Sequence, residues 1–195
     1  MPILKHSNTP QETGFWCGPA STQIVLTGFG IDVAERDLAL ELGTTTNGTD
    51  WIGQISQVLQ RRSGRPYITV EMPNDPPTRA QVDRLWDDIV RSIDGGNGVV
   101  ANIVAPASNH PPGYPNYTIY HYFTVMGYEP DGRQVYVADP ARFGGYSEYW
   151  FTVEKLASMI TPKGYSAAPT GAPVPVVDAQ AETWALIEDQ FLGPR

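Results

Sequence analysis

One cysteine, three histidines and an aspartate that ends a strand are the residues of this chain best suited to nucleophilic chemistry. Cys17 stands at the expected start of a helix, in the run Phe15-Trp16-Cys17-Gly18-Pro19. The partial positive charge of a helix N-terminus favours thiolate over thiol. Gly18-Pro19 suits a tight loop-to-helix turn, and Gln11, upstream, offers a side-chain amide to an oxyanion. A lone cysteine otherwise reads as a small buried hydrophobe, so a catalytic reading needs an imidazole. His6 lies near the N-terminus and His110 lies in a Pro-rich loop. His121 opens an expected strand, a rigid place from which to hold geometry.

Asp139 supplies the third group if hairpin register brings it to His121. Two expected strands, 121–129 and 133–138, flank Pro130-Asp131-Gly132. A two-residue loop would put Asp139 on the face of Tyr122 instead. Proline in the second position and glycine last favour a three-residue loop with Gly132 in the left-handed conformation. Glu129 then faces Arg133, Asp139 lies opposite Phe123, and His121 becomes its same-face diagonal neighbour, about 7–8 Å away between backbones. The alternative, an Asp-Pro pair that merely terminates a strand, stays open.

The elements that must hold these groups follow from hydrophobic spacing. A helix runs from Cys17 to Thr27, ended by Gly28-Phe29-Gly30. A second starts in a capping-box-like Asp32-Val33-Ala34-Glu35, with Val33, Leu38, Leu40 and Leu42 behind it. Thr49 or Asp50 caps a third, whose stripe is Trp51, Ile52, Ile55, Val58 and Leu59, stopped by Gly64. Thr78 caps a fourth, with Val82, Leu85, Trp86, Ile89 and Ile93 on one face and Gly95-Gly96 at its end. The period then changes: 98–104 is a buried strand, 105–118 a loop, and a strand near 146–151 and a helix near 153–160 follow the hairpin. Helices first and an antiparallel sheet after them predict an α+β domain over 1–165. Residues 166–178 read as a Pro/Ala-rich linker, and 179–195 as an amphipathic helix carrying Trp184, Ile187 and Phe191, the start of a following module or a segment that docks back.

Composition removes several function classes. The chain has 195 residues and a formal charge of −8, which argues against a nucleic-acid binder and against docking on an anionic lipid surface. No apolar run approaches the ~18 residues of a membrane span, and Met1–Thr13 lacks the apolar core of a secretory signal. One cysteine forms no intramolecular disulfide, and no CxxC or HExxH spacing suggests zinc, so neither metal nor cofactor is expected. Trp16, Tyr114, Tyr117 and Tyr122 are the aromatic candidates for lining a substrate groove.

With Gln11, Cys17, His121 and Asp139 in that order, the chain resembles a papain-like cysteine peptidase. Phe-Trp-Cys-Gly-Pro-Ala-Ser, His-Tyr-Phe-Thr-Val-Met-Gly-Tyr and Val-Ala-Asp-Pro look most like the bacteriocin-processing peptidases. More narrowly they look like the N-terminal peptidase domain of mycobacteriophage endolysins, over roughly residues 5–160. The resemblance implies a papain-like fold and a peptidase of peptidoglycan stem peptides. In it Cys17 is the nucleophile, His121 the base and then the acid, and Asp139 the group that orients His121. Gln11 and the Cys17 N–H hold the oxyanion. It further implies a monomer within a larger lysin, made in the host bacterial cytoplasm and acting on the wall after release. An amidase or another thioester-forming enzyme with the same Cys–His pair, and a non-catalytic wall-binding module, are the alternatives. A metal-dependent hydrolase comes third.

Overall fold

The computed structural model describes residues 1–170, and the proposed 179–195 helix and most of the proposed linker lie outside them. Five helices, α1 (Cys17–Gly28), α2 (Glu35–Glu41), α3 (Ile52–Ser63), α4 (Arg79–Asp94) and α5 (Val153–Ile160), surround one antiparallel sheet. Its strands are β1 (Ile68–Glu71), β2 (Val99–Ala105), β3 (Ile119–Glu129), β4 (Gln134–Ala138), β5 (Glu148–Thr152) and β6 (Gly164–Ala167), in the order β1-β6-β2-β3-β4-β5.

Alternation along the strands sends side chains into two cores. Ala101, Ile103, Phe123, Val125, Val135 and Val137 face α4 and α5, alongside Leu85, Ile89 and Leu156. Val100, Tyr122, Met126 and Ala138 face the other way, toward Ile24, Leu26, Leu38, Ile55 and Leu59 of α1, α2 and α3. The α+β expectation holds, with helices on both faces of the sheet: α4 joins α5 rather than the helices that precede it in sequence.

The helix signals are mostly met, with two corrections at caps. Thr78 caps α4, accepting from Gln81 N at 3.2 Å while Gln81 Oε1 accepts from Thr78 N at 2.9 Å. The α2 N-cap is Ala34, which has no capping side chain. Glu35, expected in a capping box there, instead accepts the N–H of Glu12 on both carboxylate oxygens, at 3.1 and 3.2 Å. The α3 N-cap is Trp51, whose N–H donates to Gln54 Oε1 at 2.9 Å. Thr49 and Asp50, the expected caps, both precede that position, and the Thr49 hydroxyl bonds Thr44 Oγ1 instead, at 2.7 Å.

Two four-residue strands escape the periodicity altogether. Ser166 and Ala167, assigned to the linker from composition, belong to β6, which pairs with β1 on one side and β2 on the other. Small residues are needed there because α3 lies close: Ser166 Oγ accepts from Ser56 Oγ at 2.8 Å.

The hairpin reaches the expected register by another route. The loop has four residues, 130–133, so Glu129 faces Gln134, and Arg133 rather than Gly132 takes the left-handed conformation, at φ 47°. That register alone would have turned Asp139 the wrong way. A bulge at Met126 restores it: Val125 pairs with Val137 and Thr124 with Ala138. The bulge also receives the N-terminal chain, with Leu4 N–H on Met126 O at 2.8 Å and Tyr128 N–H on Pro2 O at 3.2 Å.

Gly18 marks a second close approach, where the start of α1 meets the loop before α3. A Cβ there would lie 2.3 Å from Thr49 Oγ1 and 2.9 Å from Thr49 Cβ. Gly18→Ala is therefore expected to lower stability by about 1–3 kcal/mol, as overpacked cores do. Urea unfolding monitored by tryptophan fluorescence checks it; an unchanged midpoint would mean that Thr49 yields freely.

Candidate active site

The sheet ends unevenly, and the unevenness builds the site. β4 pairs with β3 only from Thr124 onward, so residues 119–123 of β3 have no strand on that side. The N-terminus of α1 comes to this open edge. There Cys17 stands against the His121 side chain and the backbone of Tyr122 and Gly18, all of which favour its thiolate. His121 and Asp139 meet as the diagonal argument requires, with His121 Nε2 2.8 Å from Asp139 Oδ1. With Nε2 on Asp139, Nδ1 is the ring nitrogen left for Cys17. Cys17 is 8% exposed, His121 4% and Asp139 0%.

Asp139 accepts four hydrogen bonds. Oδ1 takes His121 Nε2 and the N–H of Ala141, the latter at 2.9 Å; Oδ2 takes the hydroxyls of Tyr114 at 2.7 Å and Tyr149 at 2.6 Å. A buried carboxylate satisfied this fully stays ionised. Burial pushes its pKa up, but the His121 charge and the hydrogen bonds from His121, Tyr149 and Tyr114 overcome that and hold it below the usual carboxylate value. The same balance raises His121: burial disfavours the imidazolium, and Asp139 and Cys17 together favour it more. Burial also raises the Cys17 thiol, and His121 with the Tyr122 and Gly18 backbone brings it below its ordinary value. The pair therefore favours thiolate and imidazolium.

Gln11 is anchored through its backbone to the residue after Asp139. Its N–H donates to Pro140 O at 3.0 Å, next to Asp139, and the following N–H is the one held by Glu35. Its Nε2 spends one hydrogen on Thr13 O at 2.6 Å, leaving a second.

The aromatic candidates divide. Tyr122 lines a cavity of about 210 Å³ together with Cys17, His121, Asn102, Asp50 and Lys163. Tyr114 does not line it; buried, it supports Asp139. Tyr117 is 63% exposed and Trp16, the half-buried N-cap of α1, packs edge-on against Phe15; neither borders the cavity. Their place in the sequence beside the nucleophile or in the aromatic loop says nothing of which way the chain turns. Asn102, Asp50, Lys163 and Tyr149 carry no motif and were not anticipated. Among the described residues no group of three or more His, Cys, Asp or Glu is placed to hold a metal ion.

Residues 3–163 match the Peptidase_C39 like family. The chain belongs to that family. C39-like folds also stand out among solved structures. One is a double glycine motif protease from an AMS/PCAT transporter in complex with the leader peptide, with TM-score 0.55, 15% identity, and 86% of this chain and 94% of that one covered. A protein from Bacillus anthracis described as a C39-like peptidase gives TM-score 0.56 at 16% identity, covering 87% and 98%. The peptidase domain of Streptococcus ComA, a bifunctional ABC transporter of a quorum-sensing pathway, gives 0.56 at 17%, covering 85% and 100%. At these identities the likeness is one of fold. No curated protein matches the chain. The papain-like expectation thus stands in its C39 form, and no helix among the described residues of this C39-like chain is long and apolar enough to cross a membrane.

Proposed function

We propose that this chain is a cysteine endopeptidase that cuts peptide bonds in the stem peptides of bacterial peptidoglycan, as the catalytic domain of a phage lysin. The observation that carries the catalytic part is the continuous chain Cys17–His121–Asp139 opening on a cavity at the α1 N-terminus. The Cys17 thiolate attacks the scissile carbonyl. The oxyanion is received by the Cys17 N–H, one of the helix donors with no intrahelical partner, and by the second Nε2 hydrogen of Gln11. His121 gives its proton to the leaving amine, a thioester remains, and water activated by His121 hydrolyses it. Asp139 keeps the imidazole oriented throughout.

The choice of substrate rests on the cavity's polarity. A second hollow of about 210 Å³ shares Asp50, Asn102 and Lys163 with the first and runs on to Trp51 and Glu71. A cleft with two carboxylates, an ammonium and an amide suits a peptide bearing free amines and carboxylates. The sequence likeness to endolysin peptidase domains points the same way. On this reading the enzyme works as a monomer without cofactor, is made in the host cytoplasm, and reaches the wall after release.

Mass spectrometry of diaminopimelate-type peptidoglycan digested with the protein and with Cys17→Ala tests it, with a double-glycine leader peptide digested in parallel. New muropeptides with a freed stem amine, absent with the variant, are expected. Whole stems released from sugar would make it an amidase. Cleavage of the leader peptide alone would overturn the wall substrate and leave the peptidase.

A further inference from the structure

The two phenols on Asp139 are more than the burial of a carboxylate requires. Tyr114 comes from the loop between β2 and β3 and Tyr149 from β5, yet both hydroxyls donate to one oxygen, Oδ2, at 2.7 and 2.6 Å. The other oxygen is thereby left to His121 and the Ala141 N–H. The Tyr114 ring is itself held, with its centroid 4.6 Å from that of Phe143 and 6.0 Å from that of His121, and His110 stacked behind it. We propose that Tyr114 and Tyr149 are positioning residues whose paired hydroxyls clamp Asp139 with Oδ1 on His121, and so keep the Cys17–His121 pair charge-separated. The proposal rests on the reading of Cys17, His121 and Asp139 as the catalytic set.

The clamp does not titrate with the groups it holds. Burial and the neighbouring Asp139 charge raise both phenols far above their ordinary value, so both remain donors wherever the enzyme works. The charged or titratable groups around the Cys17–His121 pair are Asp139 after β4, Tyr122 of β3, and Asp50 and Lys163, which line the cavity with it, while His110 stacks on Tyr114 of the clamp. Without the hydroxyls, Oδ2 loses both its donors, and the carboxylate is free to rotate or take a proton. The imidazolium then loses its counter-charge and the thiolate loses the imidazolium. Phenylalanine keeps the rings and removes only the hydroxyls, which separates positioning from packing.

The test is the pH dependence of Cys17 alkylation by iodoacetamide, followed by intact mass; Cys17 is the only thiol. Wild type is expected to react with an apparent pKa well below the ~8.5 of a free thiol. In Tyr114→Phe/Tyr149→Phe the apparent pKa moves up by about one unit, a roughly tenfold slower reaction at any pH below the wild-type pKa with an unchanged rate at pH 9, because thiolate falls tenfold per unit below the pKa. Each single variant is expected to be about two- to threefold slower below the wild-type pKa, and these decide the matter if the double variant does not fold. Profiles that superimpose on wild type would overturn the clamp while leaving the catalytic set in place. An ordinary profile in wild type itself would overturn both.

Discussion

His121→Ala is expected to lower hydrolysis of the cleaved muropeptide by about 10³-fold or more, because it removes two functions in one step. The leaving amine loses its proton donor and the thioester its general base. Cys17 also loses the group that holds its thiol down. Burial, the largest influence on that thiol, then acts against the remaining help of the Tyr122 and Gly18 backbone. Nucleophile and proton shuttle fail together, so the loss exceeds what a general base alone supplies. Single-turnover kinetics beside alkylation at pH 7 check this, and both should fall. Hydrolysis lost with alkylation intact would mean that the helix N-terminus, not His121, activates the thiol. The fold should survive, because Asp139 keeps three of its four donors: Tyr114, Tyr149 and Ala141.

Asp139→Ala is expected to reverse that balance and damage stability more than His121→Ala does. It leaves a buried imidazole without its acceptor and two buried phenols without theirs. Breaking a buried ion pair from one side costs about 3–5 kcal/mol, which for a domain of this size lowers Tm by about 6–20 °C near neutral pH. The pH dependence has a definite sign. Asp139 titrates below its unfolded value, so its contribution is complete above ~pH 4 and is lost as pH falls through the folded value. His121 titrates above its unfolded value, so its contribution is complete below ~pH 6.5 and is lost as pH rises through the folded value. The Tm gap between wild type and Asp139→Ala should therefore be widest between those limits and narrow on either side. A gap constant from pH 3 to pH 9 would mean that the loss is one of packing. Calorimetry across that range decides.

How far the sequence carries a reader depends on the range of the interaction involved. The five helices were legible because spacing and caps are local, as in the Thr78–Gln81 box of α4. Cys17, His121 and Asp139 were legible because helix start, strand position and register constrain them. Even so, the register was right for the wrong reason. A three-residue loop was expected; a four-residue loop and the Met126 bulge give the same alignment beyond Val125. A bulge that answers to the N-terminal chain crossing at Gly127 leaves no trace in the hairpin's own residues. β6 was illegible for a related reason: Gly-Tyr-Ser-Ala has no strand composition and is a strand because β1 and β2 both need a neighbour. Tyr149 and Asn102 reach the site across the sheet, and nothing local announces them.

The position of β6 has a consequence for the order in which the chain can be assembled during synthesis. β6 fills the gap between β1 and β2, two strands made long before it. Until residue 167 is available, β1 has no partner on its inner side, and the side of β2 turned away from β3 is a bare edge. The β2–β3–β4–β5 meander can pair as it emerges, with short loop closures. Joining β1 waits for a closure that spans roughly a hundred residues, the slow kind of contact. During that wait the nascent chain shows the kind of unpaired edge on which other strands add. Nascent chains stalled before β6 should therefore be the ones that aggregate or recruit chaperones, and those stalled well beyond it should not.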